Sequence, residues 1–232
     1  MVETPAGSPC PVCRARTTTS FMTVRDRSYR RCPTCLATFV LPDQLPTREV
    51  ERRRYDQHNN DPSDTRYLAF LRRLADPVLE TLSRRERVGA PRAGFTGLDF
   101  GSGPAPVLAD IFRCAGHRVT CYDPFYAPDP TVLEGSARYD FITCCEVAEH
   151  LHEPAGEFER LARLLRPGGI LGIMTEFQTD DERFARWYYR EDRTHVVFYR
   201  EETLRHLAAQ LGMGIEIPRR NVALLQAADD PG

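Results

Sequence analysis

From Ser63 onward apolar residues recur at intervals of three and four. Tyr67, Leu68, Leu71, Leu74, Ala75, Val78, Leu79 and Leu82 fall on one face of an amphipathic helix. Pro77 inside that run predicts a bend, because proline supplies no N–H and crowds the preceding turn. Beyond it the period changes. Short apolar runs (GFTGLDF, HRVTCYD, YDFITCC and residues 170–177) alternate with helical stretches over 105–115, 155–165 and 201–211. Pro104 opens the first of these helices, and Pro167-Gly168-Gly169 turns the chain into the fourth strand. The tail MGIEIPRRNVALLQAA reads as an antiparallel hairpin turning at Arg219-Arg220-Asn221. Strands separated by helices predict an α/β fold with a mainly parallel sheet covered on both faces.

The region before this body has a different character. Residues 8–41 hold two cysteine pairs together with Tyr29 and Phe39, and residues 48–60 form an arginine-rich, acid-interspersed stretch that reads as a helical bridge ending at Asn59-Asn60. The expected organisation is a knuckle over 1–42, a helical linker and cover over 43–92, and a main domain over 93–232. With 41% hydrophobic and 28% charged residues the 232-residue chain belongs to the globular range. A formal net charge of -2 argues against coating nucleic acid with the whole surface. All 31 basic residues are arginine, which excludes a lysine nucleophile. No apolar run approaches a membrane span and no basic-plus-apolar leader opens the chain, so a soluble cytoplasmic protein is expected.

Cysteine usage fits that compartment. Cys10-Pro-Val-Cys13 and Cys32-Pro-Thr-Cys35 are two matched hooks, 18 residues apart, enough for a hairpin out and back. Two such pairs close a tetrahedral four-thiolate zinc site, whose role by default is to fold a module too small to fold alone. A redox pair is disfavoured by there being two matched hooks, and an iron–sulfur centre by their identical spacing. Cys114, Cys121, Cys144 and Cys145 stand in strand-like or helical surroundings and read as buried packing. Arg14, Arg16, Arg25, Arg27, Arg30 and Arg31 outnumber Asp26 in the knuckle, so tracking of phosphates competes there with a solvated arginine-rich face.

In GLDFGSGPAP the glycines follow a strand and precede a helix, where Gly101 and Gly103 permit a tight turn and close ligand approach. Asp123 ends the next strand, where a carboxylate can accept from ribose hydroxyls. The third glycine of a dinucleotide-binding loop is replaced by Pro104-Ala105-Pro106, so a nucleoside without a pyrophosphate fits better.

LDFGSGPAP, VTCYDP, YDFITCCEVAEHL and LLRPGGILGIMTE, in that order, resemble the class I S-adenosylmethionine-dependent methyltransferases over roughly residues 54–227. Within these the chain is similar to the ubiquinone-biosynthesis and sugar C-methyltransferase type. YDQHNN and WYYREDRTHVVFY resemble bacterial methyltransferases carrying an N-terminal zinc knuckle. The resemblance implies a Rossmann-like three-layer sandwich with a mostly parallel seven-stranded sheet of order 3-2-1-4-5-7-6 and an antiparallel C-terminal hairpin, preceded here by a zinc-ribbon-like module. It implies S-adenosylmethionine as cofactor beside a structural zinc. Asp99, Gly101, Ser102 and Gly103 would line its methionine and ribose end, Asp123 would take the ribose hydroxyls, and Glu146 would sit beside cofactor and acceptor. Tyr55 and His58 would close over it from the N-terminal side. Two departures stand out. Ala105 replaces a frequent glycine, and the interval between Asp123 and Tyr139 has little room for a third strand with its helix or for an acidic adenine clamp.

Methyl transfer to a hydroxyl or acidic carbon benefits from a base, and histidine is suited to the role near neutrality. His195 is the first candidate and competes with a structural hydrogen-bonding role; Glu146 and His150 are the others. His152 reads as surface. Trp187, Tyr188 and Tyr189 are either helix packing or a wall for a planar acceptor. Cys144 and Cys145 continue a buried strand and lack the preceding proline expected of a cytosine-attacking thiolate. The leading reading is methylation of a small or medium-sized metabolite, with no membrane partner. The alternative is a tRNA or rRNA methyltransferase that grips RNA through the arginine-rich knuckle.

Overall fold

The structure, a computed structural model, describes residues 8–57, 60–88 and 94–229. Strands β1 (Thr19–Val24), β2 (Arg27–Arg31) and β3 (Thr38–Val40) form an antiparallel meander after the first cysteine hook. Helix α1 (Arg48–Tyr55) is capped by the Thr47 hydroxyl, which accepts from the Val50 N–H at 3.4 Å. Glu49 and Glu51 in its first turn and arginines in its last complement the helix dipole. The helix stops short of the Asn-Asn pair expected to end it. Helix α2 (Thr65–Val88) buries Leu71, Leu74, Ala75, Val78 and Leu82 along the expected stripe. It runs unbroken through Pro77, as the continuous apolar stripe on both sides of that residue implies. Burial of a long apolar face outweighs the one backbone hydrogen bond that proline removes.

The body follows as β4 (Thr96–Phe100), α3 (Val107–Cys114), β5 (Arg118–Tyr122), β6 (Tyr139–Cys145), α4 (Pro154–Leu164), β7 (Leu165–Met174), α5 (Tyr188–Glu191), β8 (Val197–Phe198), α6 (Glu201–Gln210), β9 (Gly214–Arg219) and β10 (Val222–Gln226). Strands of the main sheet lie in the order β5-β4-β6-β7-β10-β9. The first four are mutually parallel, and β10 runs antiparallel to both its neighbours. Asn221, at φ 67°, makes the tight turn of the closing hairpin.

This is the Rossmann-like three-layer architecture with one correction: the sheet of the described residues has six strands, not seven. The chain between β5 and β6 forms a turn bridged by Asp123 and Ala127 and a short 3-10 helix, Pro130–Leu133, because the interval is too short for a parallel strand and its crossover. β7 also begins earlier than expected. The Pro167-Gly168-Gly169 segment is taken into the start of β7, with the Gly168 N–H donating to the Ala228 carbonyl and the Ala227 N–H to the Gly169 carbonyl, both at 2.9 Å.

Period-two alternation splits the sheet's side chains between two cores. Phe141, Ile170 and Leu224 face α2 and α3, while Ile142, Leu171 and Leu225 face α4 and α6. The second core is continuous with the knuckle, since the four hook cysteines, Tyr29 and Phe39 belong to the same buried cluster as Phe158 and Phe198. β8 makes the join explicit. It completes a separate four-stranded sheet, β1-β2-β3-β8, with Thr38 opposite Phe198 and Phe39 opposite Val197. Among the other cysteines only Cys144 is buried. Cys114 is exposed at the solvent end of α3 and Cys121 and Cys145 are half-buried, which corrects the expectation of packing for all four.

Candidate functional site

The two hooks are copies of one local structure. CPVCRA and CPTCLA each turn with an N–H to carbonyl bond of 2.9 Å from Arg14 to Cys10 and from Leu36 to Cys32. Each is closed by a second 2.9 Å bond, from Cys10 to Ala15 and from Cys32 to Ala37. Arg14 (φ 59°) and Leu36 (φ 62°) both take the left-handed conformation, which aims the sulfurs inward. This six-residue repeat was legible in the sequence beyond the cysteine spacing. The four Sγ atoms lie within 4.8 Å of one another. The pairs Cys10–Cys35 and Cys13–Cys32 stand at 3.6 and 3.5 Å. Zinc–sulfur bonds of about 2.3 Å in a tetrahedron set sulfurs about 3.8 Å apart, so the arrangement suits one zinc ion and not a disulfide. Without a cation the thiols cannot ionise together: the Cys35 thiol donates to Cys10 and lowers its pKa to about 5, while burial raises Cys13 to about 12.

The glycine loop leaves β4 at Gly101-Ser102-Gly103. The Gly101 and Ser102 N–H groups both donate to the Tyr122 carbonyl, at 2.7 and 3.1 Å, which ties the loop to the end of β5. Gly101 has φ 80°, and a Cβ there would stand 2.3 Å from Val147 Cγ2. Gly101→Ala is therefore expected to lower unfolding free energy by about 1–3 kcal/mol and loosen the loop, as measured by urea denaturation. Asp123, buried at the tip of β5, accepts from the Gly103 N–H at 3.0 Å and from the Phe125 and Tyr126 N–H groups at 2.8 and 3.1 Å. A carboxylate offers about four acceptor positions, so this one holds two loops together and retains capacity for a hydroxyl. Asp99 is buried on β4 and accepts from the Thr143 hydroxyl at 2.9 Å; burial raises its pKa to about 6.

Two cavities flank these loops. The larger, about 970 Å³, is lined by Asp99, Gly101, Ser102, Tyr67, Phe70 and the 188–195 segment. The smaller, about 420 Å³, is lined by Asp123, Phe125, Val147 and Leu151. Gly101, Glu146 and His150 line both, so the two volumes meet at the end of β6. Helix α1 roofs the junction. The Tyr55 ring packs edge-on against Phe125 and His150 at 5.6 and 5.2 Å, Arg54 pairs with Asp192 at 2.7 Å, and the Tyr126 hydroxyl donates to Asp56 at 2.6 Å. His58, expected alongside Tyr55, lies outside the described residues.

Acid and imidazole groups crowd that junction. Glu146 takes φ 52° just after β6, with its N–H donating to the Met174 carbonyl. Burial, with the neighbouring Glu149 charge, raises its pKa to about 9. Glu149 is fully buried and raised to about 7, chiefly by burial. One of its oxygens accepts from the Tyr189 hydroxyl and the other has no hydrogen-bond partner among the described residues. His195 Nδ1 lies 2.7 Å from the Tyr189 carbonyl and His150 Nδ1 lies 3.0 Å from the Thr194 carbonyl. A carbonyl only accepts, so both Nδ1 atoms carry a proton, and proton exchange at either ring falls to Nε2. The rings pack edge to face at 4.6 Å.

Ligand atoms of Glu149, His150 and His195 lie within 4.8 Å of one another. The raised pKa of Glu149 has a thermodynamic signature. A carboxyl whose folded pKa exceeds its usual 4.5 favours folding when protonated, so its contribution is full below pH 4.5 and is lost as pH rises through about 7. In thermal melts of the zinc-loaded protein Glu149→Gln should gain stability over the unaltered protein across that window; a difference constant with pH would contradict it.

The aromatic cluster divides three ways. Trp187 packs on Phe184 and Phe198, Tyr189 is buried in the acid network, and Tyr188, 65% exposed, lines the large cavity. The only other exposed large apolar residue among those described, Val50, lines it too. Burial keeps the Cys144 thiol protonated, in line with a packing role. Glu149, Arg54 and Asp192 carry parts of this site that sequence reasoning passed over, and Tyr189, expected as packing or an acceptor wall, takes a place in the acid network instead. The Glu-x-x-Glu-His spacing was a usable signal for Glu149, whereas Arg54 and Asp192 are brought in by tertiary contacts alone.

A family model described as a methyltransferase domain matches residues 65–216. The ubiquinone biosynthesis O-methyltransferase of Caulobacter vibrioides is 34% identical over 134 residues, 47% of this chain and 50% of that protein. The Marinobacter nauticus protein of the same name is 33% identical over 87 residues, 36% of this chain and 35% of its own. The chain thus spans half the length, or less, of these curated relatives. Among solved structures, the 1,6-didemethyltoxoflavin-N1-methyltransferase of Burkholderia thailandensis, with its substrate and S-adenosylhomocysteine bound, superposes with a TM-score of 0.54 at 18% identity. That match covers 91% of this chain and all of the other, and shows a shared fold.

Proposed function

Because this chain belongs to the methyltransferase-domain family, we propose that it transfers the methyl group of S-adenosylmethionine to a small or medium-sized metabolite. The observation carrying this is the pair of cavities meeting at Gly101, Glu146 and His150 beneath α1. The smaller, with Asp123 at its edge and apolar Phe125, Val147 and Leu151 around it, suits a nucleoside, and the larger has the size and mixed lining of a metabolite pocket. When bound, the cofactor supplies an electrophilic methyl carbon. Asp123 would hold a ribose hydroxyl, Gly101, Ser102 and Gly103 would admit the methionine end beside Asp99, and Tyr55 would cover the junction.

His195 Nε2 takes the acceptor's proton, the Tyr189 carbonyl fixing the ring through Nδ1. Glu146, protonated at neutral pH, acts as a hydrogen-bond donor to the acceptor. Tyr188 offers an aromatic face at the mouth. A histidine base, together with the O-methyltransferase activity of the relatives named above, favours a hydroxyl as acceptor. In this reading residues 1–42 brace the site, 43–92 cover it, and 93–232 carry the chemistry, in the cytoplasm. No helix among the described residues is long and apolar enough to cross a membrane.

An RNA acceptor is disfavoured by the fate of the knuckle arginines. Arg14 pairs with Glu159, Arg31 with Asp181, Arg30 bonds Thr18 and Arg27 is buried, which leaves Arg16 and Arg25 of the six expected to track phosphates. Calorimetry on the zinc-loaded protein with S-adenosylmethionine and S-adenosylhomocysteine tests the proposal. Binding of both is expected, and binding of neither would refute it.

A further inference from the structure

The knuckle does more than fold itself. Val40 on β3 donates its N–H to the Val196 carbonyl at 2.9 Å, and Val196 donates its own N–H to the Glu149 carbonyl at 2.8 Å. One residue, next to His195, therefore joins the zinc module to the acid–imidazole cluster. β8, immediately beyond, is the module's fourth strand.

A second tie lies on the other side of His195. Arg27, only 3% exposed, donates from Nη2 to the Arg193 carbonyl at 2.8 Å. The Arg193 guanidinium returns across the same joint as a two-pronged contact to Asp26, at 3.1 and 2.9 Å. Nε and Nη1 of Arg27 find no hydrogen-bond partner among the described residues, and no carboxylate pairs with it there. Keeping a guanidinium buried on such terms is costly. The bond it does make falls on the backbone two residues before His195. Arg27 opens β2, Cys32 directly follows β2, and Cys35 stands just before β3, so the metal ligands set the position of both strands that grip residues 193–198. The cofactor side is held differently: Gly101 and Ser102 bond to β5, Asp123 holds the turn that follows it, and Glu146 bonds to β7.

We infer that the zinc module is a brace for the acceptor side of the active site, with Arg27 a positioning residue that holds the segment carrying His195. The functional sense of this inference rests on His195 acting on the acceptor, as proposed above. It predicts that metal state and Arg27 govern the geometry of residues 192–199 while leaving cofactor affinity alone.

The test uses the zinc-loaded 232-residue protein and two variants, Arg27→Met and Arg27→Lys. It reads zinc content, S-adenosylhomocysteine affinity by calorimetry, amide exchange by mass spectrometry and the His195 ring by nitrogen NMR. Arg27→Met should retain one zinc per chain and bind S-adenosylhomocysteine within about threefold of the parent, while exchange over residues 192–199 quickens at least about tenfold and the fixed Nδ1–H form of His195 is lost. Arg27→Lys, which can still donate to the Arg193 carbonyl, should restore much of the protection. Chelation of zinc should quicken the same segment more strongly. Unchanged exchange there in Arg27→Met, or equal quickening in β4 and β7, would overturn the brace. Failure of the unaltered protein to bind S-adenosylhomocysteine would instead refute the methyltransferase reading, and the exchange data would still decide whether the module holds this segment.

Discussion

Replacing His195 by alanine is expected to cut methyl transfer by about 10²–10⁴-fold, the usual worth of a positioned general base, while S-adenosylhomocysteine affinity stays within about threefold. The asymmetry follows from where the ring stands. His195 lines the larger cavity with the acceptor-side aromatics and is absent from the lining around Asp123. Its Nδ1–H is held by the Tyr189 carbonyl and its ring packs on Tyr189 and His150, at 4.2 and 4.6 Å between centroids. Alanine removes the base and opens a gap in a buried network, so unfolding must be measured beside turnover. His195→Gln, which keeps a polar side chain without a comparable base, separates the two effects. It should recover stability and not turnover. Loss of cofactor binding in a folded His195→Ala protein would place the histidine on the wrong side of the site. Turnover is read as methyl transfer from labelled S-adenosylmethionine to hydroxylated acceptors.

Asp123→Ala should weaken S-adenosylhomocysteine binding by about 100-fold or more, since hydrogen bonds to a charged acceptor are worth about 1.5–3 kcal/mol each and a ribose offers two hydroxyls. The loss has a second source in this structure. The same carboxylate accepts the N–H groups of Gly103, Phe125 and Tyr126, so its removal unties the glycine loop from the 123–127 turn and exposes three donors. Asp123→Asn should fall between, keeping one acceptor oxygen and losing the charge. Calorimetry measures both variants, and an affinity within about threefold of the parent for Asp123→Ala would remove Asp123 from the cofactor site.

Much of this was legible beforehand because it depends on local rules. The glycine loop was readable because positive φ at Gly101 and Gly103 is a backbone demand that few other residues meet. The end of β5 was readable because alternating apolar residues give way there to Asp123 and Pro124. The shortfall at the third strand was visible as a length, and its consequence, a six-stranded sheet, followed from geometry. The continuity of α2 across Pro77 was readable from the apolar stripe on both sides of it, whereas the run of Leu165 into the sheet was not, because packing partners distant in sequence outweigh a local preference for a turn.

The sequence by itself determined the four-cysteine cluster, the α/β alternation, the glycine loop after β4 and the place of Asp123 at the end of β5, each resting on residues a few positions apart whose backbone geometry and chemistry are set locally. Only the tertiary structure decided what the knuckle touches. It placed β8 in the knuckle's sheet, buried Arg27 against the backbone beside His195, took Arg14, Arg30 and Arg31 into protein contacts, and drew ligand atoms of Glu149, His150 and His195 to within 4.8 Å of one another. Those arrangements join residues up to more than a hundred positions apart, where no periodicity or spacing constrains the partner and burial of a shared core selects it.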